Sequence, residues 1–373
     1  MTKKQLLAHH LENGHVSLDD HLREMAARSA RKLECRRRLY LDTKYWVYIR
    51  DALLERPQKP EHPEILEGLR RLVASGKAIC PVSDVAFAEL ASQSDDETRT
   101  ATALLLDELS LGTALRTEEE RFGLELTEFL THPEQATGKV QTRDAAWTAP
   151  CFTFGVMVPT SEDVSPEVNL AVQKATIDEL WSITFAELAS DSTAHLQWKE
   201  ACERTAKKIN ADVREFASQA TSFKVTFKSE VVGGLSAAEH VVRRVALEDA
   251  LRKGLDVQKL RPDERERLYD LVMRILVNSF DLARTKMALR MPTTYVHAAC
   301  HAAIRLDRQR KFDGNFLRDL HHGAAATPYF DAMFTEKTLR ILLTAGNVAA
   351  DKTFGCHIVS KDAGILDYLS QIG

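Results

Sequence analysis

Apolar residues near the N-terminus recur at intervals of three and four. Leu18, Leu22, Met25, Ala26 and Leu33 share one face of a predicted helix, and Ser17 followed by Asp20 supplies an N-cap and N3 pair to start it. The run LYLD (39–42) interrupts with strand character, and TKYWVYIRDALLE returns to helical spacing until Pro57. The loop RPQKPEHP carries three prolines and excludes regular structure. PEILEGLRRLVASG reads as a helix with Pro63 at its start and Gly76 at its end. A second apolar run, AICPVS (78–83), precedes another helix through DVAFAELASQ. Strand, helix, helix, strand, helix is the order expected of a parallel sheet. TALRT (113–117) is a third candidate strand before the acidic helix EEERFGLELTEFL.

Residues 135–165, rich in Thr, Pro and Gly, read as loop. From 166 to about 289 long helical patterns dominate, including VNLAVQKATIDELWSITFAELA, LQWKEACERTAKKINADVREFASQA and ERERLYDLVMRILVNSFDLARTKMALR. FKVTFKSEVVGG alternates between them and reads as a hairpin-like break. The α/β pattern then resumes with helices TTYVHAACHAAIRLDRQRK and NFLRDLHHGAAA, the strand DAMFT (331–335), the helix EKTLRILLTAG and the strand GCHIVS (355–360). The expected fold class is α/β, a parallel sheet flanked by helices with a large helical insertion. The expected organisation is a helical arm over 1–38, a discontinuous domain over 39–135 and 290–373, and the insertion over 136–289.

Composition narrows the class. A hydrophobic share of 44% and a charged share of 28% are those of an ordinary globular chain. A net charge of −4 gives no global attraction to nucleic acid, so a polyanion would need a local basic face. Six scattered cysteines without a C-x-x-C pair argue for reduced thiols and against a zinc knuckle. No apolar stretch approaches the roughly 20 residues of a membrane span, and the charged N-terminus lacks a signal-peptide core. The expected compartment is the cytoplasm. Neither a G-x-S-x-G elbow nor a P-loop is present, which removes the markers of a serine hydrolase or an NTPase.

Ligands of open α/β sheets bind at the carboxyl ends of the strands. Asp42 closes LYLD, Asp84 follows PVS, and Glu89 lies one to two turns into the next helix. Asp319 lies near the start of the helix that feeds DAMFT, which begins at Asp331 and is followed by Glu336. Carboxylates gathered on one edge raise one another's pKa unless a divalent cation neutralises them. Mg²⁺ or Mn²⁺ prefers such oxygen ligands and can activate water against a phosphodiester.

These residues carry a family resemblance. LYLDTKYW (39–46) resembles the opening of PIN and PIN-like nucleases, a strand ending in aspartate before a small or polar residue. PVSDVAFAEL (81–90) is similar to their second element, whose helical glutamate is Glu89 here. NFLRDLHHGAAATPYFDAMFTEKTL (315–339) is similar to their third, placing Asp319 as the third ligand and Glu336 or Asp331 as the fourth. The resemblance implies a metal-dependent endonuclease with Asp42, Glu89, Asp319 and Glu336 at its Mg²⁺ or Mn²⁺ site, acting commonly on RNA. The rivals are a DNA nuclease with the same site and a silent scaffold for protein association.

Around this site lie weaker signals. Arg305, Arg308, Arg310 and Lys311 form a basic run before Asp319, Arg36, Arg37 and Arg38 precede the Asp42 strand, and phosphate binding needs such flanks. His321 and His322 follow Asp319 closely enough to touch substrate phosphate. Tyr45 and Trp46 lie where an aromatic could stack a base, although burial against the sheet is the preferred role for Trp46. His297 and His301 share a helix face, but a zinc site needs a third ligand and none is marked, so an ordinary helix face is the preferred reading. The expected partners are RNA or single-stranded DNA and a regulatory protein, with no membrane, and a homo-oligomer is left open.

Overall fold

The computed structural model describes residues 2–93, 95–133, 140, 142–155, 158–189, 202–208, 210–211, 221–307 and 313–373. The chain divides into two compact units. Unit 1 comprises Met1–Thr117, Asp144–Thr193 and Asp362–Gly373, and unit 2 comprises Glu118–Arg143 and Ala194–Lys361. Each is mainly helical and each contains a short parallel strand pair, so the broad class is α/β.

In unit 1, β1 (Arg37–Leu41) runs parallel to β2 (Ala78–Ile79), with Arg37 opposite Ala78 and Arg38 opposite Ile79. Leu39, Tyr40 and Leu41 are all buried, as an unbroken apolar run must be when helices cover both faces of a parallel strand. Past β2, Val82 bridges in parallel to Ala114 in β3 (Ala114–Leu115), and β3 pairs antiparallel with β4 (Trp147–Thr148). The helix Glu61–Ala74 turns Ile65, Leu66, Leu69 and Leu72 inward and packs on the helix Asp362–Ile372. Hydrophobic burial of this kind contributes about 1.5–3 kcal/mol for each large side chain.

Residues 1–38 form two helices, Lys3–Glu12 and Leu18–Leu33, the second capped by the Ser17 hydroxyl accepting from Asp20 N at 3.1 Å. They belong to unit 1, where Met25 shares a buried cluster with Ala149, Phe152 and Ile177. Ile177 lies on the helix Pro166–Trp181, so part of the stretch expected as an insertion packs with the stretch expected as an arm.

In unit 2, β5 (Ala332–Phe334) and β6 (His357–Val359) pair in parallel, with Ala332, Met333 and Phe334 opposite His357, Ile358 and Val359. The helices Lys337–Thr344 and Ala350–Phe354 make the crossover, burying Leu339, Leu342 and Leu343. The remaining bundle pairs Phe223–Ala237 with Pro292–Leu306, Glu118–Thr131 with Glu239–Arg252, and Pro292–Leu306 with Gly314–Tyr329.

FKVTFKSEVVGG is not a hairpin-like break. It lies within the helix Phe223–Ala237, capped by Ser222 accepting from Val225 N at 3.4 Å. Phe227, Val231 and Leu235 are buried at a spacing of four, a helical stripe that outweighs the local β-branched alternation. The long C-terminal helical pattern forms Pro262–Arg290, with a kink at Ala283 (φ −142°, ψ 49°). The pattern LQWKEACERTAKKINADVREFASQA lies largely outside the described residues. Among the described residues no helix is long and apolar enough to cross a membrane.

Candidate functional site

At the carboxyl end of β1 the chain turns directly into the helix Thr43–Leu53, and Asp42 occupies the N-cap position. Its backbone carbonyl accepts from Tyr45 N at 2.8 Å, whereas its carboxylate makes no capping hydrogen bond. The residue is only 6% exposed. Helix capping, the ordinary reason for aspartate at a strand end, is therefore not what this side chain does. The second carboxylate comes from the helix Asp84–Ala91, which starts beyond Val82 and is capped by Ser83 accepting from Ala86 N at 3.2 Å. From this helix Glu89 accepts a hydrogen bond from the Thr43 hydroxyl, one residue past Asp42.

Tyr40 reports the electrostatics of this end of unit 1. Burial raises its hydroxyl pKa well above the ordinary range, and Asp42, Asp84 and Glu89 all push in the same direction, against the hydrogen bond with Ser83 at 2.9 Å. Three carboxylates thus act on one buried phenol. The donor chemistry here is oxygen alone, of the kind hard divalent cations prefer, but among the described residues the groups whose ligand atoms lie within 4.8 Å of one another do not include Asp42, Asp84 and Glu89.

Asp319, Asp331 and Glu336 belong to unit 2. Asp319 lies in the second turn of the helix Gly314–Tyr329 and is half-buried. Glu336 follows β5 at the N-cap of Lys337–Thr344 and, like Asp42, makes no capping bond with its side chain. Asp331 is held by Arg143 at 2.9 Å while its carbonyl accepts from His357 N. That ion pair ties Asp331 to Arg143 within unit 2.

The expected substrate contacts are differently disposed. Arg305 is 13% exposed and ion-paired with Glu230, so its charge is already taken up within unit 2. Arg308, Arg310 and Lys311 lie outside the described residues. His322 is 1% exposed and packed inside its unit rather than presented at a surface. Tyr45 and Trp46 are buried, which removes both rings from base stacking. Arg37 is exposed and Arg36 and Arg38 are half-buried, at and just before the start of β1.

His297 has carboxylate and imidazole neighbours that the sequence around it does not mark. Its partners are Glu118 and His321, not its helical neighbour His301. His297 Nε2 lies 3.0 Å and His321 Nδ1 2.7 Å from the same atom, Glu118 Oε2. His301 lies instead 3.6 Å from Glu230, and burial, with neighbouring His297 and His321, pushes its pKa down to about 3. Glu118 stands in the first turn of Glu118–Thr131, His297 on Pro292–Leu306 and His321 on Gly314–Tyr329. Separations of 179 and 203 residues leave no local motif to read. A second triplet, His10, His21 and Asp178, lies in unit 1.

Comparison of the chain with protein-family models, with curated proteins and with solved structures finds no match.

Proposed function

We propose that the chain is a metal-dependent endoribonuclease whose chemistry centres on Asp42 and Glu89. The observation that carries this reading is the nearly buried Asp42 carboxylate, unused for capping, at the end of a parallel strand in the company of Glu89 and Asp84. The resemblance of LYLDTKYW and PVSDVAFAEL to the first two PIN-like elements supports it. A bound Mg²⁺ or Mn²⁺ supplies charge neutralisation at phosphate and a water acidified toward neutral pH.

The protein's own part is positioning. Asp42 is fixed by the strand end and by the first helical turn hanging from its carbonyl. Thr43 donates to Glu89 and so limits the rotamers of the second ligand. The buried Tyr40 hydroxyl ties the strand to Ser83, and through that cap to the helix bearing Glu89. In this reading Arg36, Arg37 and Arg38 bind the phosphate backbone.

The test is cleavage of labelled single-stranded RNA and single-stranded DNA with Mn²⁺, Mg²⁺ or EDTA, comparing the wild type with Asp42→Asn. Metal-dependent RNA cutting that falls by about 100-fold or more in the variant is expected, because a ligand carboxylate has lost its charge. Equal cutting by the two proteins would sink the assignment of Asp42. Cutting of DNA alone would reassign the substrate, since only the 2′-OH and the strand form differ. Asp319→Asn and Glu336→Gln in the same assay test the unit 2 carboxylates.

A further inference from the structure

We propose that Glu118, His297 and His321 form a binding site for a zinc-type divalent transition ion, separate from the acidic pair of the nuclease reading. Two histidines around a carboxylate are by themselves ambiguous, because the same three groups can be a satisfied hydrogen-bonded clamp. The molecule holds an internal comparison. In unit 1, Asp178 divides its oxygens, with Oδ2 at 2.7 Å from His10 Nε2 and Oδ1 at 2.9 Å from His21 Nε2. In unit 2, both imidazole nitrogens turn to one oxygen, Glu118 Oε2. Convergence of both nitrogens on one oxygen brings the three ligand atoms close together, as a shared cation requires.

The dimensions agree. The three ligand atoms lie within 4.8 Å of one another, and the two nitrogen-to-oxygen distances are 3.0 and 2.7 Å. Zinc bonds of about 2.0–2.2 Å in tetrahedral geometry put neighbouring ligand atoms about 3.3 Å apart, so small side-chain rotations admit the ion. The ligands come from three different helices, which fixes their directions. The side chains of His297, Glu118 and His321 keep 21%, 29% and 33% of their surface. Water therefore has access to a fourth coordination position, as in zinc sites of the two-histidine, one-glutamate kind that bind and activate a ligand.

Charge also separates the two triplets. Lys174 lies against the unit 1 triplet, donating to the carbonyls of Asn13 and Val16, and it opposes a further cation there. Arg305, the cation that acts on the neighbouring His301, is ion-paired with Glu230. The unit 1 triplet accordingly reads as a clamp between helices and the unit 2 triplet as a ligand set. Imidazole nitrogen favours Zn²⁺ over Mg²⁺, so the proposed ion differs in class from that of the acidic pair.

The experiment is calorimetric titration of the EDTA-treated full chain with ZnCl₂, comparing wild type with His321→Gln, His297→Gln and His21→Gln. One zinc equivalent is expected in the wild type and in His21→Gln, with affinity lower by about 100-fold or more in the other two. X-ray absorption at the zinc edge of the wild type, expected to show two imidazole nitrogens, decides the matter even if a variant misfolds. Undiminished binding in His321→Gln, binding lost only in His21→Gln, or no zinc held by the wild type overturns the proposal. The readout is bound zinc and not cleavage, so its failure and that of the nuclease reading are recorded separately.

Discussion

Replacing Glu125 with glutamine removes a titration that the fold has displaced toward neutrality. The residue lies on the helix Glu118–Thr131 with no exposed surface. Its carboxyl accepts from Thr293 Oγ1 at 2.6 Å and from the Tyr329 hydroxyl at 2.7 Å, both on one oxygen, and from Thr293 N at 3.2 Å on the other. Burial pushes its pKa up to about 7, while Thr293, Tyr329 and Arg121 pull it back. Below the unfolded value of 4.5 the group is protonated in both states and does not affect pH dependence. Between 4.5 and about 7 the unfolded chain releases its proton and the folded chain keeps it, so stability falls as pH rises. The interval amounts to about 3 kcal/mol, all of it lost by pH 8. His301, held far below its ordinary value, works in the opposite direction at acid pH but is common to both proteins, so it cancels in their difference. The assay is urea unfolding of wild type and Glu125→Gln from about pH 5 to about pH 8, read by hydrogen exchange in the Glu118–Thr131 helix. The variant should gain on the wild type by about 2–3 kcal/mol across that range. A constant difference, or one that narrows as pH rises, would refute the assignment of Glu125 as a raised carboxyl.

Two further outcomes follow from named contacts. Ser83→Ala removes the cap on Ala86 N and the Ser83 hydrogen bond of the buried Tyr40 hydroxyl, so thermal unfolding should show a loss of about 1–3 kcal/mol; an unchanged melting temperature would contradict the Tyr40–Ser83 link. Asp178→Asn removes the carboxylate that raises His10 against the lowering effect of its burial, so the His10 midpoint followed by NMR should move further down and exchange in Lys3–Glu12 should quicken. A His10 midpoint that stays or rises would show that Asp178 is not its partner.

What the sequence revealed depended on whether the signal was local. LYLD announces β1 because three successive buried apolar residues followed by an aspartate leave little alternative to a covered strand turning into a helix. Ser17 announces its helix in the same way, three residues before the amide it caps. FKVTFKSEVVGG misled because its first six residues alternate while its burial follows a period of four that becomes visible only over twelve or more. At Asp42, the motif marks a carboxylate, but only the structure shows that the carboxylate does not cap its helix.

The histidines mark the limit of such reading. His297 and His301 are four apart and look like a pair, yet the fold sends them to different carboxylates, Glu118 and Glu230. Their helix carries both on one side, but the partners are set by helices that arrive from far along the chain. Spacing can therefore nominate a donor without showing which oxygen it meets. Here the fold brings His297 and His321 to a single oxygen of Glu118, whereas His10 and His21 meet different oxygens of Asp178. On the two proposals above, the acidic pair and the imidazole pair would call for different metals, so zinc binding and Mg²⁺- or Mn²⁺-dependent cleavage can be tested separately.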